Sequence, residues 1–253
     1  MDTGIILDLE TTGLDYKNDK IIEIGIVEFV ICGTTPYITN MYSGLEDPGF
    51  EISDLISSVT HIKNEFLKGQ KINWDLVKSF ISRSSIVIAH NAEFDSRFLA
   101  LREELKDIRP HWACSLNHID WHAHGFKTRA LNYLAADMQF INPFAHRALF
   151  DCATTFKVIS SYLPELISAS YEERIQIRLT QTPYELSSQL KDLNYKWDRG
   201  IRGWTKVTLR KNLDNEMYQI EEIKKTNPHI CVETSKIPSL DETFENIQNG
   251  LLP

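Results

Sequence analysis

The 253-residue chain has only four cysteines, Cys32, Cys114, Cys152 and Cys231, and none of them forms a CxxC pair. That excludes a zinc-ribbon ligand set and a disulfide framework, and it predicts a reducing, cytoplasmic setting. No apolar run reaches the roughly 18 residues of a membrane-spanning helix, so no membrane partner is expected. Met1 to Glu10 lacks a basic n-region and runs straight into acids, unlike a secretory signal. Internal repeats and low-complexity tracts are missing as well. Positive charge is scarce: 27 Lys and Arg face 35 Asp and Glu, a formal net charge of −8. A general polyanion binder neutralises phosphates with cations, so the chain as a whole does not read as one.

The deficit is uneven. Residues 1–171 carry 15 basic and 22 acidic side chains, whereas Thr180–Lys211 carries 7 basic and 3 acidic. An apolar content of 42% suffices for a core, and the length suits a domain of about 170 residues plus a small one. Strands are expected over Gly4–Glu10, Ile21–Ile31 and Tyr37–Tyr42, joined by short turns as a meander. Trp74, Val77, Phe80 and Ile81 recur at helical spacing; Ile86–Ala89 reads as a buried strand; Phe94, Phe98, Leu101 and Leu105 mark another helix. Trp112–Ser115 reads as a strand, and Leu131–Ala136 and Leu149–Leu163 as helices, the last stopped by Pro164. This order predicts an α/β, ribonuclease H-like fold: a mixed sheet flanked by helices. The pattern restarts near Ser168–Glu173 as β-α-β-β-α-β, a small C-terminal α+β domain. The expected domains are 1–168 and 172–236, with 237–253 a loose tail.

On a strand, Asp8 and Glu10 project to one side. Two carboxylates 4 Å apart repel by about 4 kcal/mol at an effective dielectric near 20. Either one takes a proton, or a hard divalent cation such as Mg²⁺ sits between them. Alone, the pair reads first as two solvated acids at a strand end. Asp95 follows the buried strand near a helix start, and Asp151 lies between Phe150 and Cys152 on the last helix, with His146 five residues earlier. The segments Asp8-Leu9-Glu10-Thr11-Thr12-Gly13, with Ile21-Ile22-Glu23-Ile24-Gly25 behind it, His90-Asn91-Ala92-Glu93-Phe94-Asp95, and His146-Arg147-Ala148-Leu149-Phe150-Asp151 stand in that order. Together they resemble the three motifs of the DnaQ-like, DEDDh exonucleases, over about residues 4–163.

That resemblance implies a 3′→5′ exonuclease using two divalent ions, Mg²⁺ or Mn²⁺. Asp8, Glu10, Asp95 and Asp151 would hold the metals and His146 would serve as general base. The sister branch of the family has a tyrosine where Arg147 stands. Thr11, Thr12, Leu14, Thr60, His90, Asn91 and Phe94 would contact the terminal nucleotide, although Leu14 and Phe94 equally suit core packing. The family often has glycine in place of His61. The implied partner is nucleic acid with a free 3′ end, single-stranded DNA favoured, in repair or degradation. RNA as substrate and a catalytically silent binding module are the alternatives. In the second domain Lys191, Tyr195, Lys196, Trp197, Arg199, Arg202 and Trp204 interleave cations with rings, a pattern suited to single strands. Trp197 and Trp204 equally suit the core of a tiny domain.

Overall fold

The computed structural model describes residues 3–252. Met1, Asp2 and Pro253, on which parts of the N-terminal and tail readings fell, lie outside the described residues. The chain divides into two compact units, one running to Ser170 and resuming at Leu240, the other spanning Tyr171–Ser239.

In the first unit β1 (Thr3–Thr11), β2 (Ile21–Cys32) and β3 (Thr35–Leu45) form the expected meander. Three helices follow, α1 (Asp54–Thr60), α2 (Asn64–Leu67) and α3 (Trp74–Arg83). Then come β4 (Ile86–Ala89), α4 (Ala92–Ala100), β5 (Trp112–Cys114), α5 (Leu131–Asp137), α6 (Ala148–Ile159) and α7 (Leu163–Ser170). The sheet order is β3-β2-β1-β4-β5, with β1 antiparallel to β2 and parallel to β4. Crossovers through helices cover both faces, so β1 is buried on both. Ile5, Leu7 and Leu9 join one core cluster and Ile6 the other. Asp8 and Glu10 continue the Ile6 row. The mixed sheet flanked by helices is the fold that the element order predicted.

Three expectations are corrected. Pro164 does not stop a single helix. α6 ends at Ile159, and Pro164 stands in the first turn of α7, where its missing N–H costs nothing. α7 therefore runs to Ser170, past the boundary expected at 168. Residues 240–248 are not a loose tail. They form α10 (Leu240–Gln248), which follows the helices of the second unit in the chain and packs in the first unit. Its Phe244 ring lies 5.9 Å from that of Trp112.

The second unit contains β6 (Arg174–Thr180), α8 (Ser187–Asp192), β7 (Lys196–Asp198), β8 (Gly203–Leu209), α9 (Leu213–Lys224) and β9 (Cys231–Ile237). Its antiparallel sheet has the order β7-β8-β6-β9. Ile175, Ile177 and Leu179 alternate inward along β6, and Leu190, Tyr195, Trp204 and Ile220 help close the core. Among the described residues of both units, no helix is long and apolar enough to cross a membrane.

Candidate active site

Three elements converge on the C-terminal end of β1. β1 supplies Asp8 and Glu10; α4 supplies Asp95, whose Oδ1 accepts the Leu9 N–H at 3.1 Å; α6 supplies Asp151. Gly25 on β2 pairs with Asp8, and a Cβ there would lie 2.3 Å from the carbonyl carbon of Ala148. A bare backbone at this position is what lets the start of α6 close onto the sheet beside the carboxylates.

Electrostatics records how tightly they are gathered. Burial holds the Asp8 carboxyl well above its ordinary range, and the charges of Asp95, Asp151, Glu10 and Glu23 push the same way. Glu10 is pushed up to about 8, by burial first and then by Asp151, Glu23 and Asp95. Burial raises Asp95 to about 7 against the opposing Leu9 N–H, and it also raises Asp151. Bare, such a cluster binds protons; a divalent cation is the other means of neutralising it. Glu10, Asp151 and His146 can offer ligand atoms all within 4.8 Å of one another. Carboxylate oxygens are the donors that Mg²⁺ and Mn²⁺ prefer, so the acids present fit the implied ions and His146 stands beside them.

His146 sits at φ 61°, in the left-handed region that an L-residue enters at a cost. Its neighbours hold it there. Its backbone N–H donates to Asp151 Oδ2 at 2.8 Å, while Asn142 Nδ2 donates to Oδ1 at 2.7 Å. The next residue, Arg147, forks onto buried Glu23, Nη2 to Oε1 at 2.9 Å and Nε to Oε2 at 3.1 Å. The Ala148 N–H donates to Glu23 Oε2 at 3.0 Å. Glu23 thus anchors the turn that carries the histidine.

The family model described as "Exonuclease" (RNase_T) matches residues 5–159, more than half of the chain. The chain belongs to the exonuclease family. The DnaQ-like reading of the three motifs is thereby borne out. Among curated relatives, a PolC-type DNA polymerase III of Thermotoga petrophila is 33% identical over 175 residues, which cover 64% of this chain and 12% of that protein. The DNA polymerase III subunit epsilon of Aquifex aeolicus is 28% identical over 169 residues, 65% of this chain and 82% of the relative. The chain thus spans about an eighth of the first relative's length. Among solved structures, exonuclease X in complex with 5′ overhanging duplex DNA superposes with a TM-score of 0.51 at 23% identity. It covers 66% of this chain and 99% of that one. At that identity the likeness speaks for the fold.

Within the exonuclease domain the remaining sequence candidates divide. Leu14 is 86% exposed, so it is not a core residue, and Phe94 is half-buried against Phe98 with ring centroids 4.8 Å apart. Asn91 is exposed at the start of α4. Thr11 and Thr12 spend their hydroxyls locally, on the Gly13 carbonyl at 2.5 Å and on Asp19 at 3.0 Å. Two further candidates are engaged by more distant parts of the protein or by burial. The Thr60 side chain is buried, donating to the Ile56 carbonyl and accepting from the Ile62 N–H. Both ring nitrogens of His90 are taken, by Ser115 Oγ at 2.8 Å and by the Arg129 carbonyl at 2.9 Å, and burial lowers its pKa to about 4. His61 has φ 58°, which explains the family's glycine there. Sequence reasoning missed Glu23, Asn142 and the role of Arg147, although Glu23 and Arg147 stood inside quoted motifs. A cavity of about 440 Å³ beside Arg147, lined also by Leu45, Ile62, Glu65 and Phe66, was missed too.

In the second unit Tyr195 and Trp204 are buried in the core, so they are corrected as contact residues. A tiny sheet has few other large side chains with which to fill its interior. Trp197 remains half-exposed, and Lys191, Lys196, Arg199 and Arg202 are exposed.

Proposed function

We propose that the chain is a metal-dependent 3′→5′ exonuclease that releases 5′-nucleoside monophosphates, with DNA as the favoured substrate. One observation carries the reading: Asp8 and Glu10 of β1, Asp95 of α4 and Asp151 of α6 gather at one end of the sheet, where burial first and then the charges of Asp95 and Asp151 raise the proton affinity of Asp8 and Glu10 beside His146. Asp8, Glu10 and Asp151 would hold one ion, and Asp8 with Asp95 a second. Bound there, two divalent ions would stabilise the attacking and leaving oxygens of an in-line displacement. His146, exposed at the rim, takes the proton of the attacking water, a task suited to neutral imidazole near pH 7. Glu23 and Arg147 fix its backbone. Leu14, exposed outside the core, would wedge against a terminal base. The many acids of this domain are then an ion-holding feature, since bound cations reverse the local field.

The test is hydrolysis of 3′-labelled single- and double-stranded DNA and RNA with Mg²⁺, Mn²⁺ or EDTA. Asp8→Ala should abolish turnover, and His146→Ala should lower it about 10²–10⁴-fold. Wild-type activity in either variant, or full activity in EDTA, ends this reading. Comparing the DNA and RNA arms decides the sugar preference.

A further inference from the structure

The second unit has a feature that its core does not need. A cleft of about 470 Å³ is lined by Pro183, Tyr184, Ser187, Lys191, Trp197 and Trp204. Its two outer rings are left to solvent: Tyr184 is 86% and Trp197 50% exposed. Trp197 faces Trp204 across the β7–β8 register, with ring centroids 5.6 Å apart at 73°. Buried Trp204 therefore holds the Trp197 ring in place and leaves its other side open. Tyr184 stands in a 3₁₀ turn directly after Pro183, which stiffens its approach.

Cations outnumber acids around these rings: over Thr180–Lys211 seven basic residues face only Glu185, Asp192 and Asp198. Lys191, Lys196, Arg199 and Arg202 are exposed, and none of them forms an ion pair among the described residues. Two other cations of the unit are spent: Lys206 is on Glu216 at 2.6 Å and Lys211 on Glu172 at 2.6 Å. Asp198, the acid nearest in sequence to Trp197, accepts the Gly200 N–H at 2.7 Å. Open rings flanked by unspent cations complement bases on a polyanionic strand.

We infer that this cleft is a base-stacking subsite for single-stranded nucleic acid, with Tyr184 and Trp197 as platforms and Lys191 on the phosphate. Trp204 serves it only from beneath, and Tyr195 belongs to the core. The inference rests on the nuclease reading for its substrate but assigns a separate site. Stacking is indifferent to base and sugar, so the subsite holds strand without reading sequence.

The experiment uses the full chain in EDTA, so that nothing is cleaved, and follows fluorescence anisotropy of 5′-labelled oligo-dT, oligo-U and an abasic strand of equal length. Tyr184→Ala and Trp197→Ala should each weaken oligo-dT and oligo-U binding roughly tenfold. Lys191→Glu should lower the salt slope by about one. The abasic strand should bind weakly and ignore both ring variants. Wild-type affinity in the Tyr184→Ala/Trp197→Ala double variant, or equal binding of abasic and dT strands, overturns the subsite. If Trp197→Ala fails to fold, Tyr184→Ala carries the test, since its side chain is almost wholly outside the core. Hydrolysis of a dinucleotide with Mg²⁺, which draws on the active site alone, should be unchanged in every variant. Loss of the subsite therefore leaves that reaction intact, whereas failure of the nuclease reading removes it in the wild type.

Discussion

Gly25 is where backbone geometry and chemistry meet. An added Cβ would meet the backbone of Ala148 at 2.3 Å and of Leu149 at 2.4 Å, atoms that cannot swing aside as a side chain can. Gly25→Ala is expected to push α6 off the sheet. Overpacking of this kind costs about 1–3 kcal/mol, and the shift also carries Asp151 away from Asp8. Denaturant unfolding and hydrolysis assays should both register it, with activity falling further than the stability loss explains. A variant with wild-type turnover would show that α6 tolerates displacement. His146 illustrates the same economy. Its left-handed backbone persists because Asp151 and the Glu23–Arg147 fork over-determine it, a pattern common where strain is put to functional use.

Among the elements, α10 was least expected and is most informative. β5 is the outermost strand of the sheet at that side, and outer strands invite pairing unless they are covered. Asp241 on α10 accepts the Trp112 N–H at 2.6 Å and engages His111 Nδ1 at 2.7 Å, occupying edge groups of β5 and of the residue before it. Gln248 donates to the Leu105 carbonyl at 2.9 Å. Leu240, Phe244 and Ile247 are spaced as one helical face, and Phe244 is 1% exposed. Phe244→Ala should therefore destabilise the first unit by about 3–5 kcal/mol, as buried phenylalanine truncations do. Differential scanning calorimetry measures it. A melting temperature unchanged from wild type would return these residues to the status of a tail.

For the molecule as a whole, the acidic excess becomes a statement about pH. Folding raises Glu10 from 4.5 to about 8 and Asp95 from 3.8 to about 7. A raised carboxyl binds more protons folded than unfolded, so between about pH 4 and 8 Glu10 and Asp95 withdraw stability from the metal-free protein as pH rises, and lowered His90, alone of opposite sign among these three, offsets only part of it below 6.5. Metal binding reverses the trend, since cations displace those protons and bind the folded state. The melting temperature in EDTA should fall from pH 5 to pH 8, and added Mn²⁺ should raise it more at pH 8 than at pH 5. Glu10→Gln should flatten both dependences. Identical pH slopes for wild type and variant, or a pH-independent Mn²⁺ effect, would contradict this coupling.

Most of the fold was legible beforehand because its signals are local. The alternation of Ile5, Leu7 and Leu9, the run Ile86–Ala89 and the helical spacing of Trp74 to Ile81 each lie within one element. The carboxylates were legible because the three motifs hold them at short, fixed offsets from their strand or helix. What the chain order could not reveal depends on contacts across more than a hundred residues. Glu23 meets Arg147 and Ala148, Gly25 makes room for α6, and Asp241 returns to Trp112. Three apolar residues in a polar terminus look like solvent-facing chain until a β-edge and an apolar surface are there to receive them. His90 and Thr60 looked available because sequence shows a side chain's chemistry but not whether a distant carbonyl has already claimed it.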